Sequence, residues 1–514
     1  NNIDNIYYIW GLQDYDPFSC SLENVRGGEI VWVKCATESE LLHRFLAHWH
    51  SDRQCPDVIT GWNTRFFDIP YLVNRIAKTI GEDFAKKLSP WGLISQREVT
   101  VKGRTQQFYE LTGIAQLDYL ELFQKFGYSY GAQESYKLDH IAHVVLGERK
   151  LSYDEFTGLH ELYKQDHQKF IDYNIRDVEL VERLEDKMGL ITLAMTMAYK
   201  GGVNYSDTLG TTAIWDSIIY RDLASKGIVI VPNEEKFKSD YPGGYVKPPQ
   251  IGLHEWVVSF DLNSLYPNII VEWNMSPETI IEDERIHLDP DMCLNGVKNP
   301  NPEYALACNG VFFSKEKQGV LPKIITDYYD ERRLIKRKML EAQQEKEKMD
   351  KSDKQRVYAI ERDISRYENQ QMAIKILMNS LYGALGNKYF RYFDLRMAEA
   401  ITLTGQTVIR WAERHVNEFM SKIVGKEADY VIAIDTDSIY VNFGPLVEKF
   451  IKENKVDTIN QICQDQFEPM LAKCYDKLHK IFTTHTPRME MGREVIADRG
   501  IWTAKKRYIL NVHD

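Results

Sequence analysis

Apolar and polar positions along residues 1 to about 195 alternate with two different periods, so this stretch reads as mixed α/β. Short β-rich runs such as Glu29–Val33 and Val58–Thr60 are separated by segments of helical period such as Glu38–His50 and Ile69–Ile80. Arg97–Thr112 alternates and is polar, with Gly103-Arg104 at its middle, which predicts a hairpin around a glycine turn. From about 195 to 320 the chain is richer in Gly, Pro and Asn. Tyr241-Pro242-Gly243-Gly244 and Asn299-Pro300-Asn301-Pro302 read as loops there, and Trp256–Phe260 stands out as a strand. Between Lys323 and Leu385 proline is absent and Glu, Lys, Arg and Gln dominate. This pattern predicts two long helices joined near Asp350-Lys351-Ser352-Asp353, a charged hairpin projecting into solvent. Gly386-Asn387 is a helix stop signal, and a helix–strand–strand–helix pattern is expected from there to Asp514. No internal repeat or low-complexity tract interrupts these segments.

With 514 residues the chain exceeds one ordinary domain, and two to four packed units are expected. Hydrophobic residues at 44% and charged residues at 27% describe a globular chain and exclude disordered, collagenous and coiled-coil classes. No apolar run is long enough to span a bilayer and no signal-peptide pattern opens the sequence, so no membrane association is expected. The first residue is Asn1 and not Met, which leads us to expect a fragment or a processed product. The seven cysteines, Cys20, Cys35, Cys55, Cys293, Cys308, Cys463 and Cys474, are scattered and never spaced Cys-x-x-Cys. That spacing argues for a reducing compartment and against a disulfide framework or a structural zinc site. A formal net charge of −11 excludes a chain that coats itself with nucleic acid through bulk positive charge, but leaves room for a local basic cleft.

The candidate chemistry lies in carboxylates. Tyr430–Phe443 is a pair of β-rich runs meeting at Asp435-Thr436-Asp437-Ser438, so two acids are expected at a hairpin tip. An isolated Asp-x-Asp turn is ordinarily just a solvated acidic turn. At Trp256–Ile270, however, a second apolar strand ends in Asp261 and turns into Leu265-Tyr266-Pro267. Two buried strands that each end in an acid suit a pair of magnesium ions, hard cations that take carboxylate and phosphate oxygens. Lys375, Asn379 and Tyr382 lie at i, i+4 and i+7 and share one face of the second long helix, while Ile374, Leu377, Met378 and Leu381 form its apolar face. Arg332 and Lys336 lie one turn apart on the first helix, beside Arg333, Arg337 and Lys338. Charge runs on helices are commonly solvated faces. Two facing helices that each bring cations toward three carboxylates are better explained by a triphosphate.

Three ordered segments resemble motifs A, B and C of family B DNA polymerases. They are Asp261-Leu262-Asn263-Ser264-Leu265-Tyr266-Pro267, then Lys375-x-x-x-Asn379-Ser380-Leu381-Tyr382-Gly383, then Asp435-Thr436-Asp437-Ser438. Asn379–Asn387, Gly61–Tyr71 and Lys505-Lys506-Arg507-Tyr508 are similar to the replicative members from T-even-type bacteriophages. The resemblance implies multidomain α/β and α+β architecture. An RNase H-like 3′→5′ exonuclease domain at 1–195 would precede an antiparallel-sheet palm at 196–322 and 386–514, into which a helical-hairpin fingers segment at 323–385 is inserted. It further implies Asp261 and Asp437 as carboxylates sharing two Mg²⁺ ions, with Asp435 beside them. Arg332, Lys336 and Lys375 would hold a dNTP triphosphate, supported by Asn379 and by backbone N–H groups of Leu262–Leu265, including Ser264. Tyr266 would stack under the sugar and collide with a 2′-hydroxyl, and Tyr382 would lie against the nascent base pair. Lys505, Lys506, Arg507 and Tyr508 would grip primer–template DNA, Tyr241–Gly244 would form the linker between the two domains, and Glu494 aligns with a further palm acid.

The same resemblance assigns Asp68 and Asp177 as exonuclease metal ligands, and Tyr173 as the residue orienting the attacking water. The polar hairpin around Gly103-Arg104 resembles the one that helps move a primer end between sites. No Asp-x-Glu precedes Asp68, so the exonuclease acid set is expected to be incomplete, and the resemblance leads us to expect that the N-terminal domain, the thumb and the C-terminal clamp-binding tail are missing. A sliding clamp is the expected partner of the full-length protein, and the host cytoplasm its expected location. Two residues depart from the pattern. Ile434 replaces the glycine that usually precedes the first acid of motif C, where a β-branched residue is expected to crowd a metal site, and Asn268 replaces a common serine. The alternative is a catalytically incompetent DNA-binding fragment or one subunit of a split polymerase. A plain nuclease fits poorly, because its acid set is the incomplete one.

Overall fold

The computed structural model divides the chain into two units, Asn1–Gly210 and Thr211–Asp514, and describes every residue except 23, 24, 26–28, 102, 231–239 and 350–352. In the first unit, β1 (Ile6–Gly11) runs parallel to β2 (Glu29–Lys34), which is followed by α1 (Glu38–Trp49). Next, β3 (Val58–Ile59) pairs in parallel with β6 (Ala115–Gln116) across α2 (Asp68–Ile80) and the antiparallel hairpin of β4 (Ile94–Val101) and β5 (Arg104–Leu111). Gly103 turns that hairpin with φ +77°, a left-handed conformation that glycine adopts without steric cost. The core gathers Leu42, Leu46, Ile69, Val73, Ile76 and Leu88 beneath the hairpin residues Tyr109 and Leu111. Then α3 (Tyr119–Phe126), α4 (Leu138–Leu146), α5 (His167–Met188) and α6 (Leu190–Gly201) complete the unit.

The change in composition at about residue 195 falls inside α6, and the next helix, α7 (Thr211–Ser225), occupies a stretch expected to be loop-rich. Its signal is a buried stripe of Ile214, Trp215, Ile218 and Ile219, which the Gly-, Pro- and Asn-rich segments further along outweigh in an average. The second unit is built on a six-stranded antiparallel sheet of order β15-β14-β8-β13-β12-β7. These strands are β7 (Val246–Lys247), β8 (Gly252–Leu262), β12 (Val431–Asp435), β13 (Ser438–Asn442), β14 (Met491–Ala504) and β15 (Arg507–Val512). A small second sheet is formed by β9 (Ile280–Arg285), β10 (Ala305–Leu306) and β11 (Val311–Phe313).

Strand β8 is central. It buries Val257, Val258, Phe260 and Leu262 almost completely, each burial contributing ~1.5–3 kcal/mol. Phe260 stacks with Phe443 and Phe467 behind the sheet. Beyond β8, α8 (Leu265–Glu272) begins at once, and the long pair α9 (Val320–Lys348) and α10 (Lys354–Leu385) follows, with the expected junction Asp350-Lys351-Ser352 outside the described residues. The apolar seam of this pair holds Ile335, Met339 and Ile360, and its outer rim carries the ion pairs Arg356–Glu345 (3.0 Å) and Lys346–Glu361 (2.8 Å). Ile374, Leu377, Met378 and Leu381 are all buried. After α11 (Leu395–Val424) the expected strand–strand–helix order holds through α12 (Glu468–Phe482), but the chain then adds the β14–β15 hairpin. A short polar turn at Lys505-Lys506 had masked that hairpin in the sequence pattern.

Candidate active site and its counterpart in the first unit

The three acids of the second unit converge because the sheet puts their strands side by side. Ser438 on β13 is the register partner of Asp261 on β8, and the N–H of Leu262 donates to the Asp437 carbonyl at 2.9 Å. At the β12–β13 tip the N–H of Asp437 donates to the carbonyl of Asp435 at 2.7 Å, around Thr436 at φ +62°. An i→i+2 bond about a positive φ is a rare, strained γ-turn, and it holds two carboxylates two residues apart. Ile434 is 1% exposed and paired with Ile439. Strand alternation puts it on the face opposite Asp435, so it joins the core and does not crowd the acids.

Burial, then the charges of Asp437 and Glu494, push the Asp261 carboxyl up to about 7, with Lys375 opposing them. Asp437 is likewise raised, by burial first and then by Asp435 and Glu494, with Lys506 opposing. Glu494 reaches this group from β14, where it is an extra residue between Arg493, opposite Phe260, and Val495, opposite Ser259. Among the described residues no three His, Cys, Asp or Glu side chains are gathered tightly enough to hold an ion alone. The acids nevertheless suit divalent cations. Their mutual repulsion outlasts the opposing charges of Lys375 and Lys506, and magnesium takes the rest of its ligands from phosphate and water.

Motif B supplies the facing surface. Lys375 acts on Asp261 from α10, Asn379 is exposed one turn further on, and Arg332 on α9 donates from Nε to the Gln371 Oε1 at 3.2 Å. Lys336 is exposed one turn beyond Arg332. Tyr329, which sequence reasoning missed, accepts from Asn263 Nδ2 at 2.9 Å and ties the motif A turn to α9. Within that turn the N–H groups of Leu262 and Asn263 are already committed to the carbonyls of Asp437 and Glu490. Leu262 therefore has no amide to offer a phosphate. The amides of Leu265 and Tyr266 open α8, following Ser264 at φ +50°, and the first turn of a helix has no preceding carbonyls to receive its N–H groups. Asn268 is buried and donates to the Asn263 carbonyl, bracing the turn from inside.

The rings of Tyr266 and Tyr382 lie 4.6 Å apart, tilted by 39°. Two glycines leave room for Tyr266: a Cβ on Gly405 would lie 3.1 Å from its Cε1, and one on Gly244 would lie 3.0 Å from its hydroxyl. The segment Tyr241–Tyr245 touches all three motifs. Tyr382 donates to the Tyr241 hydroxyl at 3.3 Å, Gly244 abuts Tyr266 and Thr436, and the Tyr245 carbonyl accepts from the Thr436 N–H at 2.9 Å. Lys505 and Lys506 form the exposed β14–β15 turn, and Lys506 Nζ pairs with Asp435 Oδ1 at 3.1 Å. Arg507 is exposed beside them, whereas Tyr508 stacks on Trp502 (5.4 Å) and shares a 2.6 Å hydroxyl contact with Tyr440.

The acids of the first unit have different company. Asp68 opens α2, and the surrounding protein and then Asp118 raise its carboxyl. Asp118, which sequence reasoning missed, is 1% exposed and accepts from the N–H groups of Asn63, Arg65 and Leu120. Its signal was available as an N-cap before the apolar period of α3. Asp177 on α5 pairs through Oδ2 with Lys150 Nζ at 2.6 Å, while its buried Oδ1 has no hydrogen-bond partner. Lys150 also donates to the Tyr173 hydroxyl at 3.3 Å and lies 5.3 Å from the ring centroid. Nothing near Lys150 in the sequence announces this role.

An antiparallel sheet presenting clustered acids opposite cation-bearing helices defines the palm-type class of phosphoryl-transfer sites. The chain matches DNA polymerase family B over residues 210–478 and the exonuclease domain of that family over residues 12–141. It belongs to the family B DNA polymerases. It is 32% identical to the DNA-directed DNA polymerase of Enterobacteria phage T4, over 100% of this chain and 64% of that protein. Identity to the DNA-directed DNA polymerase of Escherichia phage RB69 is 34%, over 95% of this chain and 59% of that one. The DNA polymerase delta catalytic subunit of Candida albicans is 29% identical over 78% of this chain and 37% of its own length. The chain thus spans about six-tenths of the length of the phage relatives. Among the described residues no helix is long and apolar enough to cross a membrane.

Proposed function

We propose that the second unit is the polymerising centre of a DNA-directed DNA polymerase, transferring the nucleotidyl group of a dNTP to a primer 3′-hydroxyl on template DNA. The observation that carries this reading is the juxtaposition of Asp261 and Asp437 on paired strands, with the Asp261 carboxyl pushed up to about 7 by burial first and then by its acidic neighbours. In this reading the palm, expected over 196–322 and 386–514, starts at 211 with the second unit, and 323–385 forms the fingers. Asp261 and Asp437 hold divalent ions, Mg²⁺ by their hardness, and Asp435 stays paired with Lys506 until DNA arrives. Bound there, two ions lower the pKa of the attacking hydroxyl and neutralise charge on the departing pyrophosphate.

The remaining chemistry belongs to the chain. Lys375, Arg332 and Lys336 hold the triphosphate as cations on facing helices, with Asn379 beside them and the amides of Ser264 and Leu265 below. Tyr266, wedged between Gly244, Gly405 and Tyr382, has no room to retreat from a 2′-hydroxyl and selects the deoxy sugar by that clash. Tyr382 backs Tyr266 and meets the nascent base pair. Lys505, Lys506 and Arg507 meet the phosphates of the primer–template duplex near the primer end, and Tyr508 anchors their turn to the sheet.

The first unit is the 3′→5′ exonuclease domain in this reading, RNase H-like in plan, with Asp68, Asp177 and Tyr173 as its site residues. The buried, unpartnered Oδ1 of Asp177 suits a metal, and Lys150 neutralises the other oxygen until one binds. A sliding clamp is the partner proposed for the longer protein, acting in the host cytoplasm. The decisive experiment is primer extension in Mg²⁺ by this chain and by Asp437→Ala. We expect a loss of about three powers of ten or more, since a metal ligand supplies several kcal/mol at the transition state. Equal extension by both proteins would refute the assignment. Salt-sensitive primer–template binding without extension by either protein would favour an incompetent DNA-binding fragment or a subunit of a split enzyme.

A further inference from the structure

Glu494 owes its position to a break in strand register, and two side chains hold that break open. From Val495 to Trp502, β14 opposes Ser259 to Gly252, whereas Met491 to Arg493 oppose Leu262 to Phe260 in a register one residue out of step. If the longer register simply continued, Glu494 would oppose Phe260, which is 0% exposed, and would turn toward the core. The extra residue returns Glu494 to the face of Asp261, where it is exposed and its charge acts on both Asp261 and Asp437.

A bulge strands backbone donors, and both are met by side chains. The N–H of Val495 donates at 3.1 Å to the hydroxyl of Ser259, itself 1% exposed in the middle of β8. The N–H of Arg493 donates at 3.0 Å to Oε1 of Glu468, from the first turn of α12. The two N–H groups thus satisfied lie on either side of Glu494. We infer that Ser259 and Glu468 are positioning residues that clamp a β-bulge so that Glu494 serves as a further carboxylate beside Asp261 and Asp437 in the polymerising centre. The inference rests on the ion-holding role given above to Asp261 and Asp437, and adds to it the devices that aim Glu494.

The test is Mn²⁺ affinity, read from the free-ion paramagnetic resonance signal in titrations of the full chain without DNA or nucleotide. Ser259→Ala removes one atom from a buried site, and Glu468→Ala acts on the free edge of β14, so one variant remains informative if the other fails to fold. Each is expected to weaken Mn²⁺ binding about tenfold, as loss of outer positioning groups does elsewhere. Glu468→Gln, which keeps an acceptor oxygen, should restore most of the affinity. Made on Glu494→Ala, either substitution should change affinity by less than about twofold, because its effect passes through the missing carboxylate. Unchanged Mn²⁺ affinity in both single variants overturns the inference, and so does a full tenfold loss that persists on Glu494→Ala. Asp437→Ala separates the two levels: if it leaves Mn²⁺ binding intact, the ion-holding reading itself fails and the positioning roles go with it.

Discussion

Asp261 and Asp177 are both partly buried carboxylates whose titration is shifted up by burial, yet their surroundings treat the charge in opposite ways. Around Asp261 the next contributions come from Asp437 and Glu494 and push in the same direction, with Lys375 a minor relief. Around Asp177 the next contributions come from Lys150, at 2.6 Å, and push back. In the second unit the acids add to one another's repulsion, and Lys375 and Lys506 oppose only part of it. The first unit neutralises its acid internally, leaving one buried oxygen, Asp177 Oδ1, without a partner. A cluster that carries its own counter-charge is stable without ligand and must give up an ion pair to bind metal. A cluster whose counter-charges leave net repulsion gains stability when a divalent cation binds.

This contrast can be broken at several points. The largest effect is expected from Asp437→Ala, the extension loss already described, because in the proposed reading it removes both a ligand and a source of the repulsion. Next comes Tyr266→Ala, which opens the space framed by Gly244, Gly405 and Tyr382. Discrimination against ribonucleotides, measured as the ratio of kcat/KM for dNTP over rNTP, should fall by about a hundredfold or more while dNTP use changes much less. An unmoved ratio would remove the steric role. In the first unit, Lys150→Met leaves Asp177 without its counter-ion and should lower unfolding stability by ~1–3 kcal/mol at pH 7. The loss should shrink toward pH 4 as Asp177 protonates, and denaturant midpoints at the two pH values give the comparison.

Asp261→Asn should act in the reverse sense. The folded Asp261 holds its proton to about 7 and the unfolded one to the ordinary carboxylate range, so its favourable contribution is complete at low pH and is lost as pH rises through 7. Replacing it should therefore stabilise the protein at pH 8 in a chelator by ~1–3 kcal/mol, and give no gain at pH 3.5. A destabilised Asp261→Asn at pH 8 would contradict the stored repulsion. The smallest effect belongs to Thr436→Gly, which relieves a β-branched residue at φ +62° and should add about 1 kcal/mol of stability. Thermal unfolding reports it directly.

Much of the second unit was readable from spacing alone. The strand ending in Asp261, the hairpin tip at Asp435-Thr436-Asp437-Ser438 and the Lys375–Asn379–Tyr382 face each depend on local period and turn chemistry, and each lies where those rules put it. What stayed hidden depends on partners far along the chain. Glu494 was named by the resemblance alone: it faces the acids only because β14 slips by one residue against β8, and no property of its neighbours marks a slip. Lys150 meets Asp177 by tertiary packing, and Leu262 loses its amide to Asp437 across a sheet. The helix α7 had a legible stripe, but averaging with the glycine- and proline-rich stretch beyond it hid the signal.

The place of β8 between β13 and β14 has a consequence for how the protein comes into being. Its motif A strand lies midway along the 514 residues, yet both flanking strands come much later in the sequence, so Asp261 waits for most of the second unit before it acquires neighbours. Such distant pairing slows folding, and a half-synthesised chain carries a lone acid in place of a cluster. Chain growth and the assembly of the acid cluster are thereby kept apart in time.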